Sequence, residues 1–562
     1  MEDNMAIFSF HAIEKTKRRA ETPPAYKNGH SITVRDVIPG GGTMSERRTY
    51  YGTWAKAPTP IPLSACERII DTDVLVVGAG MAGMFCAYSA AEQGSRVTIL
   101  EKSGSYSGRG FNIGVVNSNL MTERGIFNDA DEIVREWIKR CGNRCDETIV
   151  RRFAEKSPEA MNWLLEIVTR PEYALRPELN GCVYRGETYR EVYGTHIFFD
   201  GPISRQGKFG GMNDVLETLY RESLKKGAEF LFHTPMLQLL QEEDGRVTGA
   251  VAKDSEGRFV AVRATAGVVL ATGDIGGNDE MCEELAPIAN RCAVKLCWQN
   301  GGSNGDGHRA AIWAGAQIED PPFPTMIHPQ ANRHASFCFL FVRQDGSRFM
   351  NEDSYLQGRS LGIIKTGEKY IWSVFDSDWR TKVPATLPYG GGLYWGQDFP
   401  LGRREEYSVE QEQVTIDWGI RSGVTVVADT PEALAEKMGV DQKGFAATFR
   451  RYNEMCRAGR DAEFGKRPEL LIPLDKPPYY ARKIGAALLA VVGGLRVDTD
   501  MRVLREADGK PIPGLYAIGN ASGGRYGVDY PMLLPGNSIG FALTFGYLVG
   551  RRLADLSRGS GS

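Results

Sequence analysis

The clearest pattern of hydrophobic and polar residues begins at Asp71. The run DVLVV is apolar enough for a buried strand, a glycine turn follows, and the segment MFCAYSAAEQG predicts a helix before RVTILE predicts a second strand. A strand, a helix and a strand in this order predict a βαβ unit. The first part of the chain is therefore predicted to be of the α/β class.

Further elements of the same kind follow. Residues 211–227 predict a helix, residues 229–252 predict the strands of a hairpin, and GVVLATG at 267–273 predicts a buried strand that ends in a tight turn. From about residue 298 the chain is richer in aromatic residues and loops. The α/β character returns with the strand GLYAIG at 514–519 and a helix at 540–556, so the end of the chain is predicted to complete the first domain.

These shifts predict a discontinuous α/β domain with an inserted α+β domain. The Pro-, Gly- and charge-rich N-terminal extension carries Tyr50, Tyr51 and Trp54, and these aromatic residues predict that it packs on the body of the protein. The predicted boundaries are 1–70 for the extension, 71–297 and 484–556 for the first domain, 298–483 for the inserted substrate or capping domain, and 557–562 for a linker tail.

Composition narrows the classes of function. The 562 residues include 67 Lys plus Arg and 70 Asp plus Glu, a net charge of −3, which provides no field for binding nucleic acid. The ten cysteines form no haem-attachment or paired framework, which predicts structural thiols and a cytoplasmic location; Cys141 and Cys145, one helical turn apart, lack the second pair of a metal site. No run approaches about 20 apolar residues, so no membrane span is predicted.

The turn after the first strand carries the strongest chemical signal. It reads GAGMAG, and Glu101 ends the next strand about 20 residues later. Glycines there permit the turn, close approach of a phosphate and tight packing of helix on strand, while the carboxylate can accept both hydroxyls of a ribose and would repel a 2′-phosphate. A dinucleotide other than NADP is predicted, with these contributing residues: Gly78, Gly80, Ala82, Gly83 and Glu101.

Six ordered motifs resemble the flavoprotein family of fumarate reductases and 3-ketosteroid dehydrogenases. They are LEKSG, LATGDIGGN, GDGHRAAIWAGA, DGSRFMNED, GGLRVD and PGLYAIGNASG, and they span residues 71–556. The resemblance implies non-covalent FAD on a Rossmann-like domain split by the substrate domain. It adds as cofactor-binding candidates Lys102, Ser103, Gly108, Arg109, Gly110, Met236, Thr272, Gly273, Asp306, Asn520, Asn537, Ser538 and Ile539.

The chain departs from the fumarate reductases at the C-terminal motif. That family uses a His and an Arg there, whereas all seven histidines of this chain lie at or before His334 and the corresponding segment reads GGRYGVDYP. The segment is more similar to the ketosteroid dehydrogenases, in which a tyrosine hydroxyl and a glycine amide hold the substrate ketone. The resemblance carries these roles to Tyr530 and Gly536, which are separated by two residues more than in that family; Tyr526 is a further candidate.

The resemblance also implies a group that transfers a proton after the NED segment. Tyr355 follows Glu352 by three residues, one fewer than the family spacing of its catalytic base. A phenol has a reference pKa near ~10, so a basic Tyr355 requires neighbouring positive charge or hydrogen-bond donors. Arg359 is either that neighbour or the proton donor itself, as arginine is in the reductases. The alternative for both residues is a packed loop.

Three hypotheses of function follow. The first is an FAD enzyme that exchanges a hydride with a bond next to a ketone in a steroid-like or other hydrophobic enone, in either direction, with a soluble electron donor or acceptor. The second keeps the fold but assigns a small unsaturated carboxylate, with Arg359 and Arg525 as anchors. The third is a flavin-bearing electron-transfer subunit.

Tyr389, Tyr394 and Trp395 in the loop 387–396 are interpreted either as a lid over a flat ligand or as core packing.

Overall fold

The computed structural model describes residues 50, 52–179, 192–207, 210–296, 302–332, 337–386, 389, 409–531 and 533–559. The strands are β1 Arg68–Val77, β2 Val97–Leu100, β3 Ile113–Gly114, β4 Arg176–Leu179, β5 Thr195–Phe199, β6 Glu229–Leu231, β7 Met236–Gln241, β8 Val247–Lys253, β9 Phe259–Leu270, β10 Val294–Lys295, β11 Thr325–His328, β12 Leu340–Val342, β13 Ile371–Asp376, β14 Thr425–Ala428, β15 Tyr479–Ile484, β16 Ala487–Val491, β17 Arg502–Leu504 and β18 Pro511–Ala517.

The helices within the same ranges are α1 Met81–Ala91, α2 Asn119–Glu123, α3 Ala130–Arg140, α4 Glu147–Val168, α5 Met212–Lys225, α6 Asp279–Leu285, α7 Ile288–Arg291, α8 Asp306–Trp313, α9 Leu356–Lys365, α10 Trp379–Thr386, α11 Val409–Arg421, α12 Pro431–Met438, α13 Gln442–Ala458 and α14 Asn537–Gly559. The last helix ends at Gly559, so three residues of the predicted linker tail are helical; residues 560–562 lie outside the described part of the chain.

The largest sheet has the strand order β17-β18-β9-β1-β2-β6, and β8 joins β9 to the antiparallel strand β7. Strand β1 is parallel to both β2 and β9, and residues 74–77 are buried. This parallel arrangement confirms the predicted α/β class and the βαβ unit. Strand β1 begins at Arg68, three residues earlier than the pattern predicted; its first residues, Arg68 and Ile69, are exposed and precede the buried run that marked the strand.

The end of the chain completes this sheet. Strand β18 pairs in parallel with β9, with Leu515 opposite Val268. Helix α14 lies against α1 through glycines: a Cβ on Gly546 would lie 2.8 Å from the Cβ of Phe85, and one on Gly550 would lie 2.6 Å from the carbonyl oxygen of Cys86. The two helices therefore approach to a distance that larger residues at these positions would prevent.

A second, antiparallel sheet lies in the inserted part of the chain. Its order is β12-β13-β15-β14, and it shares a separate hydrophobic core with α10 to α13. A third sheet, β10-β16-β11, draws strands from both sides of the predicted boundaries at 297 and 484. The boundaries themselves remain predictions.

The described end of the N-terminal extension is held against the first domain. Trp54 is buried, and its indole N–H donates to Glu284 Oε2 at 3.1 Å, while the Gly52 N–H reaches the same oxygen at 3.2 Å. Residues 1–49 and Tyr51 lie outside the described residues. Among the described helices, none combines the length and apolar character needed to cross a bilayer.

Candidate active site

A cleft opens at the carboxyl ends of β1, β2, β9 and β18. This edge of a parallel sheet is where open α/β proteins bind ligands. Thirteen of the predicted cofactor residues line it: Gly78, Gly80, Ala82, Glu101, Lys102, Ser103, Arg109, Met236, Thr272, Gly273, Asp306, Asn520 and Ser538.

The glycine turn between β1 and α1 forms one wall. Gly78 has φ +105°, and a Cβ on it would lie 2.5 Å from the carbonyl oxygen of Ala271. A Cβ on Gly83 would lie 1.9 Å from the carbonyl oxygen of Gly78, so this glycine serves helix packing. A Cβ on Gly80 would meet no atom within 4 Å and would project into open space at the start of α1. The turn therefore leaves room for a phosphate at a helix N-terminus.

Glu101 is fixed by its own neighbours. Its Oε2 accepts the Ala79 N–H at 2.8 Å and its Oε1 accepts the Ser103 N–H at 2.7 Å. Each carboxylate oxygen has a second lone pair, so the group can still accept hydroxyl donors from the cleft. This geometry fits the predicted contact with a ribose.

Lys102 and Asp306 form an ion pair at the cleft, with Nζ and Oδ2 2.7 Å apart, and Arg309 reaches the other oxygen of Asp306 at 2.6 Å. Burial acts to raise the pKa of Asp306, but Lys102 and Arg309 outweigh it and hold that pKa below its usual value. Asp306 is therefore an ionised wall residue.

A buried hydroxyl also faces the cleft. Thr272 Oγ1 has no hydrogen-bond partner among the described residues, and a Cβ on Gly307 would lie 2.2 Å from it. Buried polar atoms are usually satisfied, so this one suits a polar group of a bound cofactor. Together with the space at Gly80, it shows that the residues present fit a dinucleotide.

Five predicted cofactor residues stand outside the lining. Gly83 packs α1, the Gly108 N–H donates to Asn213 Oδ1 at 3.2 Å, and a Cβ on Gly110 would lie 3.2 Å from Ile539 Cδ1. Asn537 is fully buried and its side-chain NH2 donates to the carbonyl oxygen of Leu534 at 2.8 Å. These residues support the walls, and a direct contact with FAD remains a prediction.

Tyr526 lies within aromatic surroundings. Its ring stacks on Trp137 with centroids 5.8 Å apart, and its hydroxyl donates to Asn537 Oδ1 at 2.5 Å. Burial raises the pKa of Tyr526 well above its ordinary value. The hydroxyl therefore stays protonated and serves as a hydrogen-bond donor to Asn537, and a contact of Tyr526 with substrate remains a prediction.

Tyr530 belongs to a hydrogen-bonded group at the cleft. Its hydroxyl oxygen accepts the Ser538 N–H at 3.4 Å, and Ser538 Oγ donates to Asn520 Oδ1 at 3.2 Å. Arg525 Nη2 reaches the same Asn520 oxygen at 3.2 Å. Gly536 precedes α14 with φ +80°, and a Cβ there would lie 2.4 Å from the carbonyl oxygen of Asn112, so only glycine fits.

Tyr355 and Arg359 occupy the first turn of α9. Tyr355 precedes the helix and is half-buried, whereas Arg359 is only 2% exposed. The backbone N–H of Arg359 donates to the carbonyl oxygen of Tyr355 at 2.9 Å. Gln357 ties this turn to two other segments. Its Oε1 accepts the Ile327 N–H at 2.8 Å, and its Nε2 donates to Asp529 Oδ1 at 3.0 Å, beside Tyr530.

Gln357 was not predicted from the sequence, and neither were Asp274 and Glu319. Asp274 lines the cleft; burial raises its pKa, and Arg109 opposes that shift. No local pattern marks these residues.

Of the loop 387–396, only Tyr389 is described, with its carbonyl oxygen accepting from Arg467 Nη2 at 2.8 Å; Tyr394 and Trp395 lie outside the described residues.

The sequence profile of the family described as FAD binding domain matches residues 73–539. The chain belongs to this family. It is similar to a vinyl phenol reductase of Lactiplantibacillus plantarum, with 27% identity over 86% of this chain and 96% of the relative. It is also similar to a 3-oxosteroid 1-dehydrogenase of Mycolicibacterium smegmatis, with 27% identity over 86% of this chain and 97% of the relative. A fumarate reductase (cytochrome) of Shewanella frigidimarina is 26% identical over 86% of this chain and 77% of the relative.

Solved structures share the fold of this FAD-binding protein. The open conformation of a flavocytochrome c3 fumarate reductase aligns over 90% of this chain and 83% of its own, with a TM-score of 0.68 and 22% identity. A 3-ketosteroid-Δ4-(5α)-dehydrogenase from Rhodococcus jostii aligns over 86% and 97%, with a TM-score of 0.64 and 23% identity. The predicted family, fold and FAD cofactor are confirmed, and the protein is an FAD-dependent oxidoreductase.

Proposed function

We propose that this oxidoreductase transfers a hydride between FAD and a carbon-carbon bond activated by an adjacent ketone in a small hydrophobic molecule. The observation that carries the proposal is the pair of buried tyrosines, Tyr526 and Tyr530, whose rings meet edge to face with centroids 5.3 Å apart. They stand where the fumarate reductase pattern has an imidazole. Trp137 and Phe541 pack against Tyr526 and favour an apolar, ketone-bearing ligand over a dianion, while the Arg525 guanidinium 5.2 Å from the same ring centroid places one cation beside them.

FAD supplies the two-electron chemistry, and the residues of the chain hold the substrate and move a proton. We assign Tyr530 and the Gly536 amide to the ketone oxygen, where charge develops during the reaction. The Tyr530 oxygen accepts from the Ser538 N–H. Accepting a hydrogen bond polarises a hydroxyl toward donating its own hydrogen, which suits this role.

We assign the proton on the neighbouring carbon to Tyr355 or Arg359. Both lie on the turn that Gln357 holds against the segment of Asp529 and Tyr530. This connection gives the group that moves the proton and the group that holds the ketone a common support. A positioned acid or base of this kind accelerates a reaction by about 10²–10⁴-fold.

Relatives named for ketone-bearing substrates support the proposed class. They are the 3-oxosteroid 1-dehydrogenase and a 4-oxocyclohex-2-ene-1-carboxylate 5-dehydrogenase of Sinomonas cyclohexanicum, 28% identical over 87% of this chain and 95% of the relative. The vinyl phenol reductase is named for a hydrophobic alkene without a ketone. We further propose a cytoplasmic enzyme with a soluble electron donor or acceptor. Within the described residues eight cysteines are free, which is consistent with a reducing compartment.

The test is reoxidation of the reduced holoenzyme. FAD is reduced photochemically without oxygen, and the protein is mixed with a cyclic enone, a vinyl phenol or an acrylate-type acid while the flavin absorbance is followed. We expect the enone to restore the oxidised spectrum fastest. Reoxidation by the acid alone would show that the ketone assignment is wrong.

A small unsaturated carboxylate is the second candidate, and one observation favours it. Arg525 is only 2% exposed, and its Nε and Nη1 have no hydrogen-bond partner among the described residues. A carboxylate could accept a charge-assisted hydrogen bond from either of them. In Arg525→Lys, this candidate predicts a raised KM for the acid, whereas the first proposal predicts little change in KM for the enone.

A further inference from the structure

Glu319 is a buried carboxylate in the segment between α8 and β11. Its Oε1 accepts the Gly494 N–H at 2.9 Å, and its Oε2 accepts the Gly524 N–H at 2.8 Å. One side chain therefore joins two turns that lie thirty residues apart in sequence, and the second turn leads directly into Arg525.

The space around this carboxylate is kept open by glycines. A Cβ on Gly493 would lie 2.0 Å from Glu319 Oε1, and a Cβ on Gly523 would lie 2.8 Å from Oε2. Each turn thus has one glycine that donates an N–H and one that leaves room. Because a side chain on either Gly493 or Gly523 would clash with the carboxylate, both turns are shaped to accommodate Glu319.

Arg525 connects Glu319 to the cleft. Arg525 contributes a favourable charge to the carboxylate, and its Nη2 donates to Asn520 Oδ1, which also accepts from Ser538 Oγ. Asn520 and Ser538 both line the cleft. Arg525 therefore links Glu319 to the cleft.

We propose that Glu319 is a positioning residue that holds the turn before Arg525 and whose negative charge lowers the reduction potential of FAD. The inference rests on the proposed function in one respect: Tyr530, which that function places at the substrate ketone, is linked to Asn520 through Ser538, so hydride transfer is taken to occur at this end of the cleft. Two-electron reduction adds negative charge to the cofactor, so a nearby buried anion opposes it, and low dielectric makes the effect larger than in water.

The charge of Glu319 depends on pH in the physiological range. Burial raises its pKa to about 7, against the opposing effects of the Gly524 and Gly494 N–H groups and of Arg525 and Arg496. His308 lies behind Gly494, where a Cβ would come within 3.0 Å of its Nε2, and burial lowers the pKa of that imidazole to about 4. His308 is therefore neutral when Glu319 titrates, and Glu319 supplies the change in charge.

The decisive variant is Glu319→Gln, compared with Asp320→Asn as a matched loss of one negative charge. The Asp320 side chain is 74% exposed and paired with Arg496, so its charge is screened. We expect the midpoint potential of FAD, titrated without substrate, to rise in Glu319→Gln. The rise should be small at about pH 6 and larger at about pH 8, because only the wild-type carboxyl ionises between them. Asp320→Asn should behave as wild type.

A wild-type potential in Glu319→Gln at both pH values would overturn the inference. If Glu319→Gln fails to fold, Glu319→Asp decides, since it keeps the charge but cannot span both turns. There we expect a near-wild-type potential with kcat reduced several-fold and unchanged FAD content; wild-type kcat would refute the positioning role. If FAD binds but no compound of the panel reoxidises it, the proposed function fails while the shift in potential still tests Glu319.

Discussion

The two ends of the cleft are built in different ways. At the end formed by Gly78 to Ser103, contacts come from a backbone turn and from a carboxylate held by N–H groups within 22 residues of it. At the end formed by Asn520 and Ser538, contacts come from side chains that depend on Arg525. The first end is suited to holding a constant part of a cofactor. The second can vary with the substrate, because side chains change more easily than a backbone turn.

The sharpest test of this contrast separates chemistry from cofactor binding. Tyr355→Phe and Arg359→Lys each keep the size or charge of the side chain on the same turn. We expect the residue that transfers the proton to lose about 10²–10⁴-fold in kcat, since that is the usual contribution of a positioned acid or base. FAD content should not change in either variant. Stopped-flow measurement of hydride transfer shows which of the two variants has lost the proton-transfer group. Loss of FAD in both variants would contradict the separation of cofactor binding from chemistry.

At the other end, Gly80→Leu should remove the cofactor and keep the fold. A side chain at Gly80 meets no protein atom within 4 Å and fills the space at the start of α1. We expect FAD affinity to fall by about two orders of magnitude, or ~3 kcal/mol, with the thermal midpoint of the apoprotein unchanged. Gly83→Ala is the contrasting variant, because its Cβ would lie 1.9 Å from the Gly78 oxygen and should unfold the turn. Wild-type FAD affinity in Gly80→Leu would contradict this account.

A smaller loss is expected for Glu101→Gln. The amide has a single oxygen, so one of the two backbone N–H donors, Ala79 or Ser103, loses its acceptor. A bound ribose also loses a charged hydrogen-bond acceptor. A hydrogen bond to a charged group contributes about 1.5–3 kcal/mol, which corresponds to a tenfold or greater weakening of FAD binding. Fluorescence titration measures it. An unchanged dissociation constant would mean that Glu101 only supports the turn.

The smallest effect is expected for Tyr526→Phe. Removal of the hydroxyl leaves Asn537 Oδ1 without its buried donor and should reduce the free energy of unfolding by about 1–3 kcal/mol. Because the ring remains on Trp137, FAD affinity should stay near wild type. Denaturant unfolding with a parallel FAD titration checks both. A large loss of kcat at unchanged stability would instead make Tyr526 a direct substrate contact.

The sequence predicts one end of the cleft much better than the other. Gly78, Gly80 and Glu101 lie within one βαβ unit, so their spacing alone implies their geometry. Glu319 and Gln357 acquire their roles from partners 175 and 172 residues away, Gly494 and Asp529. Such pairs leave no local pattern. Tyr526 and Tyr530 were found only through the resemblance to a family, and their contacts with Asn537 and Ser538 required the fold.

The packing of α14 on α1 has a consequence for biosynthesis. Ser89 Oγ donates to the carbonyl oxygen of Tyr547 across 458 residues, and the glycines of α14 complete the contact. In a nascent chain, α1 therefore keeps one face unburied until its partner residues in α14, 458 positions later, have been translated. Contacts so distant in sequence form slowly, and the exposed apolar face is a target for chaperones during that interval.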